Sequence, residues 1–153
     1  MNRDNVIFKV KSQLKSTTDI GANLANIARI LFEEDDISWA GFYIFKKDKL
    51  YLSYYQGKLA CNEIEVGQGV CGTAFNNKTS IVVKDVHAFS GHIACDGGSN
   101  SELVVPLMDD DDIYGVIDLD SYSLERFNEE DRKIVEEVAH LIISNLNLKE
   151  SFI

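Results

Sequence analysis

The stretch IYGVIDLDS, residues 113–121, decides the fold of this chain. Strand alternation places Ile117 and Leu119 on one face and Asp118 and Asp120 on the other. Apolar residues surround the two acids, and buried acids are rare in proteins unless they are paired or functional. The stretch therefore predicts a central β-strand with one face on a core and the other available for chemistry. Solvated acids at a strand edge are the alternative.

A second predicted strand, LVVPLM at residues 103–108, precedes this one and is joined to it by an acidic turn. Its internal Pro106 indicates a sheet edge or a bulge. If the two strands pair as a hairpin, Glu102 approaches Asp118 and Asp120. Three carboxyl groups this close cannot all ionise cheaply, so we expect at least one raised pKa. An ionised member can then bind an ammonium group, and a protonated member can donate a proton.

The segment Asp85–Glu102, DVHAFSGHIACDGGSNSE, connects that hairpin to a strand-like run at residues 80–84. A connection of this length inside a compact domain is uncommon and usually functional. It carries His87 and His92, and it contains Cys95, one of only three cysteines in the chain. We therefore predict that the rest of the chain is a scaffold that presents Cys95.

The three cysteines, Cys61, Cys71 and Cys95, fall in glycine-rich loops or at loop–helix junctions, where a thiol can be exposed. A short helix predicted at Val70–Phe75 places Cys71 near a helix N-terminus, which favours a thiolate. Three such thiols suit a redox cycle, in which one becomes a sulfenic acid, a second condenses with it to a disulfide and a third relays that disulfide. Unreactive cysteines are one alternative. A zinc site made by the cysteines and the two histidines of the long segment is another, although no C-x-x-C spacing supports it.

The stretch ISWAGFYIF, residues 37–45, is apolar on both alternations and predicts a strand covered on both faces. One face carries Trp39, Gly41 and Tyr43. A glycine between two large aromatic residues indicates close approach of a ligand or another backbone, or else a packing glycine in an aromatic core. A turn and a run at residues 50–56 complete a second hairpin.

Helical patterns occupy both ends of the chain. Residues 4–16 form one pattern, and Asp19 is placed to cap a second helix. Asn128 opens the last helix, with Asp131 at the spacing of a capping box. Helices, a strand meander and a closing helix indicate one α+β domain over residues 1–153, with a central antiparallel sheet. We expect the terminal helices on one face of the sheet and the pocket with its loops on the other.

Composition limits the classes of partner. The chain has 153 residues, of which 45% are hydrophobic, and a formal net charge of −10. Such acidity argues against nucleic acid or an anionic membrane as the main partner. No apolar run has the length of a membrane span, and the N-terminal residues lack the apolar core of a signal peptide. We therefore expect a cytoplasmic protein.

Three stretches together resemble a known family: GVCGTAF (69–75), DVHAFSGHIACDGGSNSE (85–102) and GVIDLDS (115–121). They resemble the free methionine-(R)-sulfoxide reductases, which are enzymes built on a GAF domain. The most specific element, DVHAF-x-GHIACD-x-x-SNSE, is absent from ordinary GAF sensor domains. The resemblance implies thiol-dependent reduction of free methionine-(R)-sulfoxide to methionine. A non-catalytic GAF module that binds a small ligand for sensing is the alternative, and the three cysteines with the acid cluster distinguish the two.

The resemblance also implies a role for individual residues. Cys95 matches the catalytic cysteine, and Cys61 and Cys71 match the two that resolve or relay the disulfide, in an order that the sequence leaves open. Trp39 and Tyr43 match the aromatic residues that line the methyl-sulfinyl end of the substrate. The acids that contact the substrate's amino group and sulfoxide oxygen are matched by Glu102, Asp118 and Asp120. The resemblance further implies a homodimer, recycling by thioredoxin and NADPH, and no resident cofactor or metal.

Overall fold

The computed structural model of the chain describes residues 1–91 and 98–150. Its helices are α1 (Arg3–Ser16), α2 (Ile20–Phe32), α3 (Gly69–Asn77) and α4 (Glu129–Asn145), with single 3₁₀ turns at Val86–Ala88 and Leu148–Glu150. Its strands are β1 (Trp39–Lys46), β2 (Lys49–Gly57), β3 (Glu63–Glu65), β4 (Ile81–Val83), β5 (Ser101–Met108) and β6 (Ile113–Ser121). Two residues of the sequence predictions, His92 and Cys95, lie outside the described residues.

The six strands form one sheet in the order β3-β2-β1-β6-β5-β4, and each neighbouring pair is antiparallel. The predicted antiparallel sheet and both predicted hairpins are therefore confirmed. Both interpretations of Pro106 also hold. β4 pairs with β5 only as far as Val104, so Pro106 lies where β5 has become an edge, and the pairing register with β6 shifts between Leu107 and Met108.

Helices α1, α2 and α4 cover one face of the sheet and form its main core. The predicted caps are present: the Asp19 side chain accepts from the N–H of Ala22, and Asn128 and Asp131 form a reciprocal capping box. The core contains the apolar stripes of the helices and the inward residues of the central strands, among them Val6, Leu24, Leu31, Phe42, Leu103, Ile117, Leu119, Val135 and Ile142. Within the described part of the chain, no helix combines the length and apolar character needed to cross a bilayer.

A second, smaller core lies on the opposite face of the sheet, where α3 and its flanking loops pack. It includes Trp39, Tyr43, Leu50, Val70, Cys71, Phe75, Val104 and Val116. Strand alternation explains the division, because Trp39 and Tyr43 point one way from β1 and Ala40 and Phe42 the other. The expected position of the terminal helices on one face of the sheet is confirmed, and the opposite face, which carries α3, is the predicted pocket face.

Candidate active site

The strand register brings the three predicted acids together on the pocket face. Glu102 on β5 lies opposite Asp120 on β6, and Val104 lies opposite Asp118. The three side chains are buried, with exposed fractions of 7% for Glu102, 5% for Asp118 and 7% for Asp120. The hairpin prediction therefore placed these acids correctly, although the sequence did not show how completely they are buried.

Glu102 has the electrostatic signature expected of such a cluster. Burial raises the pKa of its carboxyl group well above 4.5, and the charges of Asp118 and Asp120 raise this pKa further. The prediction of a raised pKa within the cluster is confirmed. A carboxyl group that stays protonated near neutral pH can donate a hydrogen bond to an oxygen atom that gains negative charge.

Cys71 is the third residue of α3, near the predicted helix start, but its thiol is buried rather than exposed. Val70, Ala74 and Phe75 draw α3 into the pocket-side core and carry Cys71 with them. Burial raises the pKa of the thiol well above 9, and the nearby acids Asp118 and Glu102 raise it further. The expected thiolate at a helix N-terminus is thus wrong for this residue, because burial and negative neighbours outweigh the helix dipole.

The Cys71 thiol also contacts the acid cluster directly. Its Sγ atom lies 4.0 Å from Oε2 of Glu102. Sγ of Cys71 and one carboxylate oxygen each from Glu102 and Asp118 lie within 4.8 Å of one another, a grouping that could hold a metal ion. This grouping differs from the zinc alternative suggested by the sequence, because it pairs one cysteine with acids and includes no histidine.

The predicted aromatic residues form a stack on the sheet face that carries the acid cluster. The rings of Trp39 and Tyr43 are 6.0 Å apart, and Trp39 also stacks on Tyr55 with centroids 5.3 Å apart. A Cβ atom at Gly41 would overlap Tyr55 and lie 2.8 Å from the Trp39 ring. Gly41 therefore allows tight aromatic packing, and it also allows the backbone oxygen of Tyr54 to approach to 3.0 Å from the Cβ position, as both interpretations of this glycine predicted. Tyr55 was not predicted as a site residue; it lies opposite Gly41 in the β1–β2 pair, a register that the sequence pattern did not define.

The polar atoms of the two predicted aromatic residues bind the loop at residues 58–62. Trp39 donates Nε1–H to the carbonyl oxygen of Lys58 at 3.0 Å, and Tyr43 donates its hydroxyl to the carbonyl oxygen of Cys61 at 2.9 Å. Burial raises the pKa of Tyr43 above its usual range, and the charge of Asp118 adds to the rise, so the phenol remains a donor.

The two described cysteines differ in state. Cys61 is half-buried in the loop at residues 58–62 and takes part in a disulfide, whereas Cys71 is a free thiol. At the end of the long segment, Nε2 of His87 lies 3.1 Å from Oδ1 of Asn100, and the Asn100 amide donates to the carbonyl oxygen of Tyr122. His87, near the start of the segment at residues 85–102, thus contacts Asn100 near its end.

Comparison with known proteins agrees with this geometry. A family model described as the GAF domain matches residues 16–147, so the fold is that of a GAF domain. The free methionine-R-sulfoxide reductase of Escherichia coli is 46% identical over 134 residues, which cover 87% of this chain and 78% of the relative. The Saccharomyces cerevisiae enzyme of the same name is 42% identical over 129 residues, covering 78% of this chain and 72% of the relative.

A solved structure gives the same result at the level of the fold. The free methionine-R-sulfoxide reductase of Neisseria meningitidis, determined in complex with its substrate, matches with a TM-score of 0.90 and 41% identity, covering 94% of this chain and 87% of that one. The chain therefore belongs to the free methionine-R-sulfoxide reductase family.

Proposed function

We propose that this protein reduces free L-methionine-(R)-sulfoxide to L-methionine in the pocket between α3 and the sheet. The observation that carries the proposal is the buried cluster of Glu102, Asp118 and Asp120 on the sheet face that also carries the stacked rings of Trp39 and Tyr43. Acids and aromatic rings on one face suit a ligand with one cationic and one apolar end. The family membership of the chain supports the same substrate.

The acid cluster explains a requirement for the free amino acid. An ionised carboxylate in this buried setting attracts a substrate ammonium group more strongly than an exposed one would, because the local dielectric constant is low. The amide nitrogen of a peptide-bound methionine sulfoxide carries no such charge. We therefore expect the protein to reject the sulfoxide within a peptide chain, while Trp39 and Tyr43 pack on the methyl-sulfinyl end.

In the first chemical step, the Cys95 thiolate attacks the sulfoxide sulfur. Glu102 donates a hydrogen bond to the sulfoxide oxygen, a role supported by its raised pKa. With one proton taken up, the oxygen passes to Cys95 as a sulfenic acid and methionine leaves. The cysteine sulfur is oxidised by two electrons and the sulfoxide sulfur is reduced by two.

In the second step, the Cys61 thiol condenses with the sulfenic acid of Cys95, releasing water and forming a disulfide. Two observations favour Cys61 over Cys71 here. Cys61 lies in a loop and takes part in a disulfide, whereas Cys71 is buried against Glu102 with a raised thiol pKa. A dithiol reductant then returns both cysteines to thiols. We propose thioredoxin for this role, with NADPH as the source of its electrons. No resident cofactor or metal takes part.

The assembly is also part of the proposal. We expect residues 1–153 to fold as one domain and two copies to form a homodimer, as the resemblance implies. Light scattering of the purified protein measures the mass of the assembly directly, and a monomer mass would contradict this part of the proposal alone.

The experiment that tests the function follows NADPH oxidation in the presence of thioredoxin and its reductase. The substrates are free methionine-(R)-sulfoxide, the free S epimer and an N-acylated sulfoxide. We expect turnover of the free R form only, and loss of turnover in a Cys95→Ser variant. Absence of turnover with every substrate, in protein with fully reduced thiols, would favour a sensory GAF module.

A further inference from the structure

Two side chains of β1 hold the loop at residues 58–62, which joins β2 to β3 and carries Cys61. Trp39 binds the carbonyl of Lys58 at the start of the loop, and Tyr43 binds the carbonyl of Cys61 itself, at 3.0 and 2.9 Å. Both acceptors are main-chain atoms. These hydrogen bonds therefore constrain the path of the backbone directly, in a loop whose Cys61 also takes part in a disulfide.

The donors are as firmly placed as any groups in the described structure. β1 is an interior strand, paired with β2 on one side and β6 on the other. Trp39 and Tyr43 are each 1% exposed, and their rings stack on each other. By contrast, the loop residue Leu59 is 84% exposed, so its apolar side chain contributes little packing. The hydrogen bonds to the sheet therefore add to the packing of Ala60 and Cys61 against the smaller core.

A further main-chain hydrogen bond, from the N–H of Leu52 to the carbonyl of Asn62 at 2.9 Å, holds the other end of the loop. Before the loop, Gly57 adopts a φ of +125°, where a Cβ atom would lie 2.7 Å from the Trp39 ring. The chain thus turns tightly against Trp39 as it leaves β2. Cys61 sits between two held points, with the Tyr43 hydroxyl on its own carbonyl.

We propose that Tyr43 and Trp39 are positioning residues that hold the Cys61 loop in the conformation of its disulfide, and so favour the oxidised form of the protein over the dithiol. The inference rests on the proposed function, in which the sulfurs of Cys61 and Cys95 form the disulfide. A disulfide forms only within a narrow range of distances and angles. Hydrogen bonds made in the disulfide form of the Cys61 loop stabilise this form relative to the dithiol, to the extent that they loosen on reduction. Two residues proposed to bind the substrate would therefore also favour the disulfide that follows the reduction step.

The test is the equilibrium between the protein dithiol and glutathione. In this exchange, the dithiol and one molecule of oxidised glutathione give the protein disulfide and two molecules of reduced glutathione. Alkylation of the remaining thiols and mass spectrometry give the oxidised fraction at each glutathione ratio. We expect Tyr43→Phe, which keeps the ring and removes only the hydroxyl, to lower the equilibrium constant about fivefold, the usual effect of one lost hydrogen bond.

The matched control is Tyr55→Phe. It removes a hydroxyl from the neighbouring ring, which stacks on Trp39 at 5.3 Å, and should change the constant by less than twofold. Trp39→Phe removes the other donor and should shift the constant in the same direction as Tyr43→Phe. Near-ultraviolet circular dichroism and thermal unfolding establish that each variant is folded before its constant is compared.

Failure of the inference and failure of the proposed function give different results. If the wild type forms the disulfide and the equilibrium constant of Tyr43→Phe stays within twofold of the wild-type constant, the positioning role is wrong and the reductase proposal stands. The same conclusion follows if the equilibrium constant of Tyr55→Phe falls as far as that of Tyr43→Phe. If the wild-type protein forms no intramolecular disulfide at any glutathione ratio, the proposed redox cycle fails, and the inference fails with it.

Discussion

At the scale of single residues, the two described cysteines have different environments and therefore different expected roles. Cys61→Ser should still form about one methionine per chain, because Cys95 can react once, but thioredoxin-supported turnover should fall by at least about 100-fold without the second thiol. Quantification of methionine after single and multiple turnover checks this. The comparison variant is Cys71→Ser, which should retain the disulfide. Multiple turnover by Cys61→Ser together with its loss in Cys71→Ser would reverse the assignment.

Glu102 links the chemistry of the site to the pH dependence of stability. Its raised pKa means that, above about pH 4.5, the unfolded chain releases this proton while the folded protein keeps it. The folded state then binds more protons, so the free energy of unfolding falls as the pH rises toward the folded pKa. Each pKa unit of the shift corresponds to about 1.4 kcal/mol.

Glu102→Gln removes this titration while keeping a similar shape. We expect the free energy of unfolding of the variant to fall less than that of the wild type between about pH 5 and pH 8, because glutamine does not ionise. Urea unfolding at both pH values measures the difference. The control is Glu130→Gln, because the Glu130 side chain is 79% exposed. If the free energy of unfolding changes by the same amount between the two pH values in Glu102→Gln and in the wild type, Glu102 ionises normally. The same variant should lose most of its reductase activity, since an amide cannot give up a proton to the sulfoxide oxygen as it passes to Cys95.

At the scale of elements, α4 depends on its capping box, while the pocket lies on the far side of the sheet. The Asn128 side chain accepts from the N–H of Asp131, and the Asp131 side chain accepts from the N–H of Asn128. Asn128→Ala should therefore lower the free energy of unfolding by about 1 kcal/mol. Below the unfolding transition, its KM for the sulfoxide should match that of the wild type, measured in the NADPH-coupled assay. A raised KM would mean that α4 influences the pocket.

At the scale of the whole molecule, the sheet separates a large core under the helices from a smaller one around the pocket. Leu24 on α2 is fully buried in the helix-side core. Leu24→Ala should cost about 2–5 kcal/mol of stability through the cavity that it leaves. The activity of the remaining folded protein at low temperature should stay near that of the wild type, as checked by unfolding and kinetics on the same sample. Ile142→Val, in the same core, should cause a smaller loss of stability and serves as the comparison. Loss of activity without loss of stability would contradict the separation of the two cores.

Local features of the sequence were sufficient for much of this arrangement. Alternation along residues 113–121 put Asp118 and Asp120 on one face, and the short turn before them set the hairpin that brings in Glu102. The caps at Asp19 and Asn128 were likewise readable, because capping depends on residues only three positions apart. These features follow from backbone geometry that repeats every two or every three to four residues.

The tertiary structure alone decided the rest. The burial of Cys71, the stacking of Tyr55 on Trp39, and the hydrogen bond from Tyr43 to the carbonyl of Cys61 join residues far apart in the chain. No local period encodes such contacts, since they depend on how α3 and the loop at residues 58–62 pack against the sheet. The pKa values of Cys71 and Glu102 depend on the same packing, because burial and neighbouring charge, rather than residue type, determine how readily these groups ionise.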